Sequence, residues 1–340
     1  MDFREQQDLA RRQTRILVGL YVLLLIVAAA AVGGLVWLAL TLGEQAQANQ
    51  PDAVSSLPTD ATWQAAAWAA GLTGGGILLV TLFRWFTRSD GAKVAQSLGG
   101  RELTGAGESN LSPAERQYLN VVDEMAIAAA LPRPRVFVLD REAGINAFAA
   151  GTKPENAAVA VTQGALDNLS RDELAGVVAH EFGHIANSDI KLSVRVAAMV
   201  FGFTFLFFVA RWWFHVGVGP GRRDARLRIA MLVGAAAIAL VGLLTVFFGR
   251  ILQAAVSRQR EFLADASAVQ FTRYPDGLKS AFEKLKGGAS SRVESDAAAE
   301  MNHAFLFRAG GARLFDTHPP LEERIRRLEG QPTPLEQERL

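Results

Sequence analysis

The sequence contains no cysteine. Disulfides and thiolate metal sites are therefore excluded, and any bound metal must rest on histidines and carboxylates. Charge of one sign is also missing. Lys and Arg number 35 against 34 Asp and Glu, for a net charge of +1. A chain so balanced lacks the basic footprint of a nucleic-acid binder, so no nucleic-acid partner is expected. Histidine is scarce, at five in 340 residues, and each one carries weight. Apolar residues are not scarce. They make up 50% of the chain, and the excess over an ordinary soluble domain is gathered into blocks.

Four blocks stand out. Ile16 to Leu42 is unbroken and long enough to span a bilayer. Its length, about twice that of a signal-peptide core, outweighs the cleavage-like Ala46-Gln47-Ala48. Trp63 to Phe86 is a second block, with Trp63, Trp68 and Trp85 as interfacial aromatics. Gly43 to Ala61 between them has no Lys or Arg, whereas the outer flanks carry Arg4, Arg11, Arg12, Arg15, Arg84, Arg88 and Lys93. The positive-inside rule then places both outer flanks in the cytoplasm. Val196 to Ala210 and Ile229 to Gly249 are the third and fourth blocks. They read as a spanning or deeply inserted hairpin, the alternative being a hairpin that stays on the cytoplasmic side. The arginines at 222, 223, 226 and 228 in its turn run against the same rule. The expected organisation is an N-terminal membrane region over 1–95, with spans near 16–42 and 63–86. A catalytic domain over 96–194 and 250–330 follows, interrupted by the hairpin at 195–249 (spans near 195–216 and 229–249). A tail covers 331–340.

His180-Glu181-Phe182-Gly183-His184 precedes the hairpin. Leu169-Ser170-Arg171-Asp172-Glu173 opens it with a serine cap and a glutamate three residues on, which predicts a helix. On that helix the two histidines share one face, one turn apart, and can reach a single Zn²⁺. Glu181 lies near the metal's open position, where it can take a proton from water. A catalytic zinc needs a third protein ligand. Beyond the hairpin, Glu261 and Asp265 share a helix face at i, i+4. That spacing suits one carboxylate on the metal and one accepting the N–H of a ligating histidine. It equally suits a solvated face with Arg258 and Arg260. Matched distances favour the site. His184 lies eleven positions before Arg195, and Glu261 eleven after Arg250. If both helices leave the membrane uninterrupted, each residue stands about 16 Å above the interface.

These pieces together resemble the HtpX-like family of membrane zinc metallopeptidases, related to the type I CAAX prenyl proteases. The matching motifs are His180 to His184, Ser257 to Asp265, Asn146-Ala147-Phe148-Ala149 and Thr317-His318-Pro319-Pro320. The resemblance covers roughly residues 15 to 329. It implies one Zn²⁺ per chain held by His180, His184 and Glu261, with Glu181 as base. It implies that His318 approaches the active site, where it could stabilise an oxyanion. It suggests that Asn146 to Ala149 borders the substrate. It also implies a catalytic domain in the bacterial cytoplasm, anchored in the inner membrane and acting on membrane or misfolded proteins, in quality control or stress response.

The remaining pattern fits an α+β, mostly helical zincin-type domain with a small sheet. Ser112-Pro113-Ala114-Glu115 starts a helix. Pro134 to Leu139, Ile145 to Ala150 and Ala157 to Thr162 read as strands, with a turn at Gly151 to Pro154. Such a sheet offers an edge to an extended peptide. Gly287 to Asp296 reads as a mobile loop, and His215 and His303 as structural. Ser170 to Glu173 and Asn187 to Lys191 make both flanks of the histidine motif polar, which places the site in water rather than inside a span. A non-catalytic scaffold with a vestigial zinc site is the alternative, and intact Glu181 argues against it. A prenyl-protein protease would need more spans than four apolar runs supply.

Overall fold

A computed structural model describes residues 3–48, 59–87, 90–103, 111–218, 225–286 and 318–330. The stretch 287–296, His303 and the tail from 331 lie outside the described residues. The chain divides into two compact units, one of residues 1–11, 87–195 and 253–340, the other of 12–86 and 196–252.

The second unit contains the apolar helices. Helices α1 (Phe3–Ala48) and α2 (Thr59–Thr87) lie before the catalytic region. Helices α7 (Asp189–Gly202), α8 (Phe205–Val218) and α9 (Ala225–Thr272) follow the histidine motif. Their inner faces meet at Tyr21, Ala28, Val32, Ile77, Phe203, Leu206 and Ile238. The Tyr21 hydroxyl and Thr81 Oγ1 lie 2.9 Å apart, and the Trp37 and Trp63 rings stack at 5.2 Å. Outward-facing Leu23, Ile26, Leu72, Leu79, Phe208 and Val233 are exposed. So much exposed apolar side chain is expected only where lipid is the solvent. Among the described residues, four helical stretches have the length and composition to cross a membrane: Val18–Thr41, Asp60–Phe86, Asp189–His215 and Met231–Thr272. The third apolar block is two helices rather than one. At the joint, Gly202 packs so closely that a Cβ there would meet Thr81 Oγ1 at 2.0 Å.

The first unit is built on a four-stranded sheet. Its order is β1 (Arg101–Glu102), β2 (Arg135–Leu139), β4 (Ala158–Thr162) and β3 (Ala147–Ala150). β2 and β4 pair in parallel, and β3 runs antiparallel to β4 at the edge. Both faces are covered, so the central strands are apolar throughout rather than alternating. Phe137, Leu139, Phe148 and Ala160 pack beneath α3 (Gly91–Ser97). Val136, Val138, Val159 and Val161 face the main core. Helices α4 (Pro113–Ala128), α5 (Gln163–Asn168), α6 (Arg171–Ala186) and α10 (Pro275–Lys286) supply that core. The capping box expected at α6 forms, and α4 has one as well. Ser112 with Glu115 starts α4, and Ser170 with Glu173 starts α6. A last short helix, α11 (Leu321–Leu328), closes the described chain.

One expectation is corrected here. The path from His184 to Arg195 is not one straight helix. α6 ends at Ala186, Ser188 adopts a left-handed φ of 58°, and α7 begins at Asp189. No proline or glycine marks the break. At the end of α6 the Gly183 carbonyl accepts both the Asn187 backbone N–H at 3.0 Å and the Asn187 side chain at 2.8 Å.

Candidate active site

α6 carries His180, Glu181 and His184 through the middle of the first unit. Two glycines allow its neighbours close. At Gly176 a Cβ would meet the Leu278 backbone nitrogen of α10 at 2.5 Å. At Gly183 a Cβ would meet Ala264 Cα of α9 at 3.0 Å. The second contact lays Glu261 and Asp265 of α9 across the histidine face. The alternative of a solvated carboxylate face does not hold, because Glu261 and Asp265 are 3% and 5% exposed.

His180 Nε2 lies 3.7 Å from Glu261 Oε2, and His184 Nε2 lies 3.5 Å from Glu261 Oε1. The imidazoles meet edge to face at 4.7 Å between centroids. One ligand atom from each of His180, His184 and Glu261 falls within 4.8 Å of the others, so a single ion could touch all three. His180 Nε2 is buried without a hydrogen-bond partner, 3.7 Å from the Glu261 carboxylate. Orphaned buried atoms of this kind are costly, and they are accounted for where a metal binds. The donor set, two imidazole nitrogens and a carboxylate oxygen, suits zinc.

Around these three lies a layer of orienting groups. Asp265 Oδ1 is 2.9 Å from His180 Nδ1, as the spacing suggested. Asp189 Oδ2 is 3.1 Å from His184 Nδ1. Arg324 of α11 is fully buried. It donates to Asp265 through Nε at 2.9 Å and Nη2 at 2.7 Å, lies 3.2 Å from Glu261 Oε2, and sits over the Phe282 ring. His318 Nδ1 pairs with Glu261 Oε2 at 3.0 Å, and its Nε2 is buried without a hydrogen bond. Ala147 to Ala149 lie on β3, one of the two edge strands, and Asn146 directly precedes it; all four are buried.

Sequence reasoning missed Arg324 and the role of Asp189. The signal for Arg324 was its register. Leu321, Arg324, Ile325 and Leu328 form one helical stripe, so this arginine sits where an apolar residue belongs. Asp189 has no comparable signature, being one acid among several polar residues after the motif.

Burial governs the protonation of the site. Desolvation raises the Glu181 carboxyl to about 7, aided by Glu261 and opposed by His184 and by the Ala149 N–H that the carboxylate accepts. Burial pulls His180 down to about 4, although Asp265 works the other way. A neutral imidazole is the form that ligates metal. His184 is held above its usual range, because Asp189 and Glu261 outweigh burial. A bound cation would take the place of that proton.

Comparison with known proteins places this geometry. Residues 113–331 match Peptidase family M48, which is 219 of the 340 residues. A "Protease HtpX homolog" of Thermoanaerobacter pseudethanolicus is 39% identical over 272 residues, covering 76% of this chain and 85% of that protein. Another, of Ligilactobacillus salivarius, is 42% identical over 218 residues, covering 62% and 71%. The solved structure of S. mikatae Ste24p aligns with 74% of this chain and 58% of its own, at 17% identity and a TM-score of 0.45. The chain thus belongs to Peptidase family M48, and it is a membrane-embedded metalloprotease in which two histidines and one carboxylate could hold the metal.

Proposed function

We propose that this protein is a zinc endopeptidase of the bacterial inner membrane, with its catalytic unit in the cytoplasm. Its substrates are membrane or misfolded proteins, and its role is membrane-protein quality control. The observation that carries the chemistry is His180 Nε2, buried and unpartnered toward the Glu261 carboxylate, beside a Glu181 whose Oε1 is also buried and unpaired. In this reading His180, His184 and Glu261 hold the ion. Bound there, zinc would acidify water and polarise the scissile carbonyl.

The protein's own groups do the rest. Glu181 takes the proton from the attacking water at its unpaired Oε1, while the Ala149 N–H fixes the carboxylate from the strand side. A carboxyl whose pKa lies near 7 can hold that proton. It then passes it to the amine nitrogen as the C–N bond breaks. His318, with Nδ1 against Glu261 and Nε2 buried and unpaired, is assigned to the oxyanion of the attacked carbonyl. Asn146, Ala147, Phe148 and Ala149 are assigned to substrate. β3 is an edge strand, so an extended peptide can add to it through main-chain bonds. Asp265 supports His180 as the orienting carboxylate.

The test is proteolysis of a casein-type substrate by the full-length protein in detergent, wild type against Glu181→Gln. The variant loses a base and no ligand. It should keep near-equal zinc by metal analysis and lose at least about 100-fold in rate, within the range expected for removing a general base. Wild-type cleavage by the variant would remove Glu181 from the mechanism.

A further inference from the structure

Each histidine of the site is backed by an aspartate, and each aspartate by an arginine. The two relays come from different parts of the chain. His180 leads to Asp265 and then to Arg324. His184 leads to Asp189 and then to Arg260. The first relay follows from the i, i+4 spacing of Glu261 and Asp265. The second does not follow from any motif.

Its geometry is specific. Asp189 is the first residue of α7 and only 2% exposed. One carboxylate oxygen meets His184 Nδ1 at 3.1 Å, and the other takes a short bond from Arg260 Nη1. Arg260 also donates to the Asn187 carbonyl at 3.3 Å. The Asn187 side chain in turn bonds the Gly183 carbonyl at 2.8 Å and Ser267 Oγ at 3.0 Å. The left-handed turn at Ser188 folds the chain back, which lets a residue five positions after His184 reach its ring. Arg260 is next to Glu261 in sequence. One end of α9 therefore places a carboxylate against the two histidines and, through the adjacent residue, the group that orients one of them.

We propose that Asp189, anchored by Arg260, is a positioning residue for His184. It accepts the Nδ1 proton, holds the imidazole in the tautomer with Nε2 free, and aims that nitrogen at the position where Glu261 also points. A carboxylate in this place fixes ring orientation and raises ligand basicity. The break between α6 and α7 thereby acquires a purpose: a continuous helix would carry residue 189 away along the axis. The inference rests on the reading of His184 as a metal ligand.

The experiment titrates zinc into the metal-stripped full-length protein in detergent, against a competing chelator. Wild type, His184→Ala, Asp189→Asn, Arg260→Gln and Glu173→Gln are compared. Asp189→Asn keeps the shape and loses the charge. It should weaken zinc about 10–100-fold, with Arg260→Gln weakening it less and in the same direction. Glu173→Gln loosens the other end of α6 and should bind as wild type does, which separates positioning from general softening of the helix. The visible spectrum of bound Co²⁺ reports ligand geometry and should shift in Asp189→Asn and not in Glu173→Gln. If Asp189→Asn fails to fold, Arg260→Gln carries the same comparison. Wild-type zinc affinity and cobalt spectrum in both relay variants, with His184→Ala impaired, would overturn the positioning role and leave the ligand assignment standing. Equal affinity in wild type and His184→Ala would overturn both.

Discussion

Glu261 and Asp265 are both carboxylates on one face of one helix, and both touch a histidine. Their roles differ by which nitrogen they meet. Glu261 lies against Nε2 of His180 and of His184, on the side where a metal belongs. Asp265 meets Nδ1 of His180 and is occupied twice over by Arg324. Zinc titration of Glu261→Ala should therefore reveal a severe loss, because a ligand is gone. Asp265→Ala should lose about 10–100-fold, the usual cost of an outer partner. The reverse ranking would exchange the two roles. At this scale the sequence was informative where a residue type at a fixed spacing has one chemistry. The pair His180 and His184, with Glu181 between, is such a case. It was silent on Arg324, because contact with Asp265 spans 59 positions and the region between, 287–317, carries no chemical signature. It was silent on Asp189, because nothing in Asn187-Ser188-Asp189 announces a left-handed turn.

The elements were legible where they begin and obscure where they bend. Ser170 and Glu173 marked the start of α6, and both arms of that cap form. Two-residue β1 and seven-residue α3 are too short to leave a periodic pattern. The Glu173 carboxylate does more than cap. It accepts from Ser280 at 2.7 Å and from Lys284 at 2.6 Å, both on α10, and so joins the two helices. Burial would raise its pKa, but Lys284, Ser280 and the capping groups prevail and hold it at about 2. The folded value is below that of the unfolded chain. The stabilisation is therefore complete above the unfolded value near 4.5 and lost as pH falls toward 2. Glu173→Ala should cost about 1–2 kcal/mol at pH 7, set by the cap and one buried hydrogen bond. The Lys284 pairing adds little to that figure, since its side chain is 42% exposed and screened by solvent. Thermal unfolding in detergent measures it. The gap between wild type and variant should narrow steadily from pH 5 to pH 3. A gap of constant size across that range would show that packing, not the charge of Glu173, unites α6 with α10.

For the whole molecule, the question is how a buried polar site and membrane-length helices serve one activity. The helix α9 gives the clearest physical constraint. Its apolar candidate span runs from Met231 to Thr272, 42 residues. At helical rise that is about 63 Å, twice the roughly 30 Å of a hydrocarbon core. Part of α9 must stand outside the bilayer. The apolar sequence ends at Gly249, and Arg250, Arg258, Arg260 and Glu261 follow. Glu261 lies eleven positions beyond Arg250 on the same uninterrupted helix, about 16 Å of rise. The matching arm from His184 to Arg195 is broken at Ser188, which leaves α9 as the uninterrupted arm. We expect the enzyme to cut a membrane substrate a short, fixed distance from where it leaves the bilayer. A cleavable sequence can be fused to a membrane anchor through spacers of graded length, and the cut sites mapped with enzyme and substrate in the same vesicles. Cuts that stay at a constant distance from the anchor, with the unanchored peptide cleaved poorly, support a reach set by α9. Cuts that follow the cleavable sequence at every spacer length, with the free peptide cleaved as well, would mean that the helices only tether the catalytic unit to the membrane.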